Sequence, residues 1–307
     1  MKNILFETSW KAVILNWILK LTVKRWFTKL ANETSTKKLT RDIIQLRKFF
    51  LKLFSKKNTL KNHVQKLHIS PQCSAFFIPY PGANKTVLYL HGGGYMIGSA
   101  KSYSGFGMML SASCKINVLL IDYRLVPENA LTCAIDDAVQ SYNYLLKKGN
   151  DPQSIFITGD SAGGGLAIST TLKLRDTNTP LPKGIICFSP WTDLLLKNTS
   201  HQTNKKRDAC LVMPKEFILF KGIDLSHPYI SPIYADFKGL PDIFIQVSDA
   251  EILLDDSTIL AKKAESQGVN VTLEIWKNMP HCFPLFAQYI PEGKQALAHV
   301  SEFMQRI

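Results

Sequence analysis

Residues 159–163 read Gly-Asp-Ser-Ala-Gly, a G-x-S-x-G pattern centred on Ser161. A serine hydroxyl is a weak nucleophile until a base removes its proton, and the base can reach it only if the hydroxyl stands clear of its surroundings. A sharp turn from a strand into a helix presents it that way, with flanking glycines tolerating the strained, crowded backbone. By composition alone a chain this long has roughly a one-in-ten chance of one such match, so the flanks matter. Residues 154–158 are an apolar run suited to a buried strand, and the small residues from Ala162 onward suit a helix. A second run, His91-Gly92-Gly93-Gly94, follows the apolar stretch 86–90. Consecutive glycines leave backbone N–H groups unshielded, so Gly92 and Gly93 are candidate donors to a developing oxyanion. Ala162, at the start of the helix after Ser161, is a third from the opposite side. A phosphate-binding loop is the competing reading, but no Lys-Ser/Thr follows the glycines.

A nucleophilic serine requires a base, and seven histidines are available. His281 follows the last apolar run (271–276) and a turn at Met279-Pro280, which completes the chain order serine, acid, histidine. His91 sits in the glycine loop, His63 and His68 precede the strands, His201 and His227 lie in an irregular stretch, and His299 is on the last helix. The acid that orients the imidazole should come from the loop after 243–247. Asp249, Glu251, Asp255 and Asp256 are all there, and chemistry alone does not choose among them.

These residues need a frame. From about residue 64, short apolar runs (86–90, 118–121, 154–158, 185–188, 243–247, 271–276) alternate with helix-length segments (133–147, 162–176, 257–267, 294–306). That alternation predicts an α/β fold, a mostly parallel sheet covered by helices on both faces. Residues 194–237 are too long and varied for a simple crossover and predict an insertion over the sheet edge. Two amphipathic helices are expected before the sheet. In 10–30 the polar stripe is Asn16, Lys20, Lys24 and Thr28; in 41–54 it is Arg41, Gln45, Lys48 and Lys52.

The formal charge of +13 would suit a nucleic-acid binder, but its distribution argues otherwise. Residues 1–70 hold 16 Lys/Arg and 3 Asp/Glu, and the remaining 237 are balanced at 21 of each. No aromatic-interleaved sheet motif accompanies the charge, so nucleic acid is not expected as a partner. Six scattered cysteines with no C-x-x-C pair read as free thiols in a reducing compartment, and cytoplasmic is the expected location. No stretch has the ~18 apolar residues of a spanning helix. No metal spacing and no cofactor motif stand out. For the basic N-terminus the plain expectation is a lid whose apolar stripes face the core and whose lysines are solvated. A sharper one adds peripheral contact between residues 1–57 and an anionic membrane.

The motifs together resemble the hormone-sensitive-lipase-like esterases (bacterial group IV carboxylesterases and arylacetamide deacetylases). They are His91-Gly92-Gly93-Gly94-Tyr95, the block Asp122-Tyr123-Arg124-Leu125-Val126-Pro127-Glu128, Gly159-Asp160-Ser161-Ala162-Gly163-Gly164, Ser189-Pro190-Trp191-Thr192-Asp193, Ser231-Pro232 and Gly239-Leu240-Pro241. The resemblance implies an α/β-hydrolase core at 61–307, no cofactor, and a cap made of residues 1–60 plus the insertion at about 194–237. The family's acid motif, Gly-x-x-Asp-x-Leu-x-Asp, places its catalytic position on Glu251, with Ser248 replacing the glycine and glutamate replacing the aspartate; Asp255 is then expected to brace the loop. Arg124 and Glu128 are expected to brace each other and the glycine loop. Trp191, Phe283 and Leu285 are candidate walls of an apolar substrate pocket. The implied activity is hydrolysis of short- to medium-chain acyl esters. A membrane-associated lipase, a deacetylase or a lactonase would use the same triad. A non-catalytic small-molecule receptor like the plant gibberellin receptors, which also resemble this family, would lack the base that His281 supplies.

Overall fold

The computed structural model describes residues 2–4, 8–54, 64–214 and 218–307. In chain order the elements are β1 (Lys2–Ile4), α1 (Trp10–Leu21), α2 (Val23–Ala31), α3 (Thr36–Phe54), β2 (Gln65–Ser70), β3 (Cys73–Ile78), β4 (Thr86–Leu90), α4 (Ala100–Cys114), β5 (Asn117–Asp122), α5 (Thr132–Lys147), β6 (Ile155–Asp160), α6 (Ala162–Asp176), β7 (Gly184–Phe188), α7 (Ser200–Thr203), β8 (Asp242–Ser248), α8 (Leu254–Ser266), β9 (Val271–Trp276) and α9 (Pro291–Arg306).

The strands form one sheet in the order β1-β9-β8-β7-β6-β4-β5-β3-β2. It is parallel from β5 through β1, while β3 pairs antiparallel with both β5 and β2. The central strands are apolar throughout because both faces are covered. Leu88 and Leu90 pack with Ala134, Ala138, Leu166 and Leu260 on the side of α5, α6 and α8. Val87 and Tyr89, one residue out of phase, pack with Phe106, Leu110, Leu297 and Phe303 on the side of α4 and α9. Parallel strands all end at one edge, where a doubly covered sheet places its functional loops. The loops carrying the glycine run, Ser161, Glu251 and His281 follow β4, β6, β8 and β9 at that edge.

Two sequence expectations change at the N-terminus. The helix expected over 10–30 is broken at Thr22, whose hydroxyl donates to the Ile18 carbonyl (2.7 Å) and whose backbone (φ −115°, ψ −78°) leaves the helix. The polar stripe is not wholly solvated either: Asn16 Nδ2 donates to the Asn278 carbonyl (2.8 Å), and Lys24 Nζ to the carbonyls of Lys205 and Asp208 (2.6 Å each). Burial lowers the Lys24 pKa from its ordinary value. The stripe expected on α3 is exposed, with Leu39, Ile43 and Leu46 buried behind it. The boundary expected near residue 60 lies outside the described residues.

Candidate active site

Ser161 stands between β6 and α6 with φ 54° and ψ −121°, a conformation that L-residues avoid. Its backbone is fully tied: the N–H donates to the Phe188 carbonyl, and its carbonyl accepts from Gly164, Gly165 and Trp191. The turn is this tight because Gly163 lets the helix touch β4. A Cβ there would lie 2.0 Å from the Leu90 carbonyl oxygen. Helix α6 begins at Ala162, so its first N–H groups lack intrahelical partners.

The glycine loop corrects one expectation. The Gly92 N–H donates to Asp160 Oδ1 (2.9 Å) and is not available to an oxyanion. Gly92 lies so close to Asp160 that a Cβ would meet its carboxylate at 2.2 Å. Gly93 and Gly94 take left-handed backbones (φ 113° and 63°), and their N–H groups have no intramolecular acceptor among the described residues. The unshielded donors of the loop are therefore those of Gly93 and Gly94, one residue on from the sequence reading. Asp160 also accepts from the hydroxyls of Tyr89 (2.8 Å) and Tyr103 (2.9 Å). Burial raises its pKa against these three donors.

His281 Nδ1 lies 2.5 Å from Glu251 Oε2. The other carboxylate oxygen accepts from Ser189 Oγ and the Ser248 N–H, both at 2.8 Å. Burial pushes the Glu251 pKa up despite the nearby imidazole. Burial lowers that of His281, but the adjacent carboxylate outweighs it and leaves the imidazole above its ordinary value. Of the alternatives, Asp249 binds Arg207 and the Asn278 N–H, Asp255 accepts from the Ser200 N–H, and Asp256 holds Thr192, Asp193, Asn198 and His201. Ser248, which replaces a glycine of the motif, contributes more than its N–H. Its hydroxyl accepts from Met279 N–H (2.9 Å) and Ala250 N–H (3.2 Å), tying the acid loop to the loop of His281.

Among the described residues three histidines pair with carboxylates: His201 with Asp256, His299 with Glu274, and His281 with Glu251. Only His281, among the described residues, also lines the cavity that holds Ser161. On its far side Nε2 lies 3.3 Å from Cys282 Sγ. Burial raises the pKa of that thiol well above its ordinary value, so it is a neutral S–H.

The cavity has a volume of about 670 Å³ and mostly apolar walls. Helices α1–α3 supply Leu19, Val23, Phe27, Leu30 and Phe50; α4 supplies Met108 and Met109; the insertion supplies Met213 and Phe220. Trp191 and Leu285 are among its lining residues. Phe283 is not: its ring is fully buried against Trp276, 5.0 Å between centroids, in a cluster behind the site. The Arg124–Glu128 brace is also absent. Arg124 makes a forked pair with Asp137, and Glu128 pairs with Arg47 of α3. Arg47 donates as well to the carbonyls of Met96 and Val126, both 2.6 Å, so it ties a helix of the N-terminal segment to the glycine loop by hydrogen bonds. Nothing in the local sequence singles out Arg47 among the basic residues of α3. Asp160 and Ser189, in contrast, lay inside quoted motifs.

A protein-family profile described as alpha/beta hydrolase fold matches residues 87–285. The chain is 37% identical to an acetyl-hydrolase of Streptomyces hygroscopicus over 240 residues, 76% of this chain and 80% of that one. The chain belongs to the hormone-sensitive-lipase-like esterases of the α/β-hydrolase fold. This esterase is also 35% identical to an esterase of Acinetobacter venetianus, over 72% of its own length and 75% of the relative's. Among solved structures, an esterase of the bacterial hormone-sensitive lipase family superposes with a TM-score of 0.85 at 33% identity, covering 98% of this chain and 99% of that one. An esterase/lipase from an uncultured bacterium gives 0.84 at 35% identity, covering 97% and 98%. The agreement extends beyond the residues matched by the family profile, since near-complete coverage includes the N-terminal helices that line the cavity of this esterase.

Proposed function

We propose that this esterase cleaves short- to medium-chain acyl esters through an acyl-enzyme on Ser161, with His281 as general base and Glu251 as its orienting acid. Ser161 Oγ attacks the ester carbonyl carbon while its proton passes to His281 Nε2. The oxyanion accepts hydrogen bonds from the N–H groups of Gly93, Gly94 and Ala162. Collapse breaks the bond to the alcohol oxygen, and His281 returns the proton to that leaving group. A water then attacks the acyl-enzyme by the same route and releases the acid. Glu251 holds the Nδ1 proton in place and stabilises the imidazolium. Residues 1–60 and 194–237 act as a cap over a core at 61–307, enclosing the acyl chain.

The observation carrying this reading is that one cavity holds both a serine on a strained turn and the carboxylate-paired histidine. A roofed cavity of about 670 Å³ falls in the range of small-molecule pockets rather than that of an extended lipid surface. The test is a p-nitrophenyl ester series of increasing acyl length. Activity is expected to peak between roughly two and eight carbons, to vanish in Ser161→Ala, and to be blocked by a phosphonate that labels Ser161. Preference for long-chain triglyceride emulsions would assign the lipase reading instead, and phosphonate labelling of Ser161→Ala would remove Ser161 as nucleophile.

A further inference from the structure

Helix α1 is apolar on two sides, and the structure fixes which side faces out. Its start is tied down by Ser9, whose N–H and hydroxyl both donate to Glu292 (2.7 and 3.0 Å). Asn16 is anchored to the Asn278 carbonyl, and Lys24, just beyond the helix, to two carbonyls of the insertion. Ala12 and Leu19 are buried on that inner side. The rotation so defined leaves Trp10, Val13, Ile14, Trp17, Ile18 and Leu21 exposed, the two tryptophans at 68% and 65%. Their spacing of three and four residues makes one continuous stripe along the helix. Exposed apolar rings are also present on α2 and α3, where Trp26 and Phe49 stack with centroids 6.2 Å apart. Lys11, Lys20 and Arg25 are exposed beside the stripe, and the first 70 residues carry the whole net charge of the chain.

We propose that this stripe docks α1 flat on an anionic lipid surface, with Trp10 and Trp17 at the boundary between headgroups and acyl chains and the flanking cations against the headgroups. Tryptophan favours that boundary. Lysine and arginine are drawn to the negative surface of the leaflet, and an apolar stripe flanked by cations is the make-up of helices that lie in the interface. None of the described helices is long and apolar enough to cross a membrane, so the contact is peripheral. Charge selects the occupant: a second copy of the chain would press two strongly basic segments together, whereas an anionic bilayer neutralises them. The contact expected from the sequence was assigned to residues 1–57 as a whole; in this proposal the two tryptophans of α1 lead it. The inference is independent of how Ser161 acts.

The test is co-sedimentation of the full chain with phosphatidylcholine vesicles, with and without phosphatidylglycerol, at low salt and at about 0.5 M salt, where screening is nearly complete beyond ~4 Å. Expected are pelleting with the phosphatidylglycerol vesicles, a blue shift of tryptophan emission, and release by salt. The double variant Trp10→Gln, Trp17→Gln is expected to weaken binding at least about tenfold and to lose the blue shift, with hydrolysis of soluble p-nitrophenyl acetate unchanged. Lys11→Glu with Lys20→Glu is expected to reduce the salt-sensitive part. The proposal is overturned if wild type stays in the supernatant at low salt, or if the tryptophan variant binds as tightly as wild type. It is equally overturned if wild type is a dimer that this variant converts to monomer without vesicle binding, because a second copy then covers the face.

Discussion

At the scale of single residues, the Glu251–His281 pair sets a pH dependence whose sign can be worked out. To act as a base, His281 must be neutral, and its pKa is held above the ordinary imidazole value by the carboxylate. kcat/KM is therefore expected to fall as pH drops through a point above ~6.5. Glu251→Gln removes the charge and leaves burial to dominate, so the acid limb should move to lower pH while kcat falls about 10²–10⁴-fold. Asp249→Asn, on the outer side of the same loop, should change kcat little. A pH–rate profile of the three proteins on p-nitrophenyl acetate checks this; a crippled Asp249→Asn beside a nearly normal Glu251→Gln would reassign the acid. Asp160 permits a second prediction. Asp160→Ala leaves the Gly92 N–H and two tyrosine hydroxyls without their carboxylate, at about 1–3 kcal/mol for each buried donor. Melting temperature should drop, and kcat should fall at least about tenfold as the neighbouring Gly93 and Gly94 donors shift. Asp160→Asn retains an acceptor for Gly92 and should recover part of both; equal loss in the two variants would rule out this positioning role.

At the scale of elements, Arg47 makes α3 and the glycine loop one unit. Arg47→Met keeps the apolar stem and removes the donors to Met96, Val126 and Glu128. Charged hydrogen bonds of this kind contribute about 1.5–3 kcal/mol, partly reduced here by solvent at the exposed Glu128 end. Thermal denaturation should show a loss of about 2 kcal/mol, and KM should rise more than kcat falls, because α3 forms cavity wall rather than touching the reacting atoms. Lys cannot reproduce the fork, so Arg47→Lys should rescue little. What the sequence revealed follows similar physical lines. The central strands were legible because burial on both faces makes them nearly unbroken apolar runs, and the expected 86–90 coincides with the fully buried β4. The edge strand β2 was not, because edge strands mix polar and apolar residues, as Gln65-Lys66-Leu67-His68 does. Helix α4 was missed because Ser, Gly and Ala blur its periodicity; it is held by a Ser99–Ser102 capping box and by Asp122, which accepts from the Ala100 N–H. In the site, residue types and chain order pointed to Ser161 and His281. Which glycine N–H remains free, and which way Phe283 turns, depend on contacts with residues distant in sequence.

For the whole molecule, the N-terminal helices have two duties on opposite faces. Leu19 and Val23 look into the cavity, while Trp17 and Leu21 look outward. A chain whose body is charge-neutral thus places most of its net charge, and a long exposed apolar stripe, on the helices that line one side of the cavity. Substitutions on the two faces should separate cleanly: the inner ones alter acyl-length preference, the outer ones surface attachment.

The conformation of Ser161 has a consequence for how far this fold can be improved. Its backbone angles suit glycine and penalise every side chain, at a cost on the order of 1–3 kcal/mol. Ser161→Gly should relieve that strain, raising the unfolding free energy by about 1 kcal/mol or more, and with it the denaturation midpoint, while leaving no measurable turnover. A midpoint at or below that of wild type would mean that the turn stores no usable strain. The sequence of greatest stability and the sequence of greatest activity then differ at the one residue the chemistry requires. Selection for heat resistance alone, with no ester to hydrolyse, would remove the nucleophile.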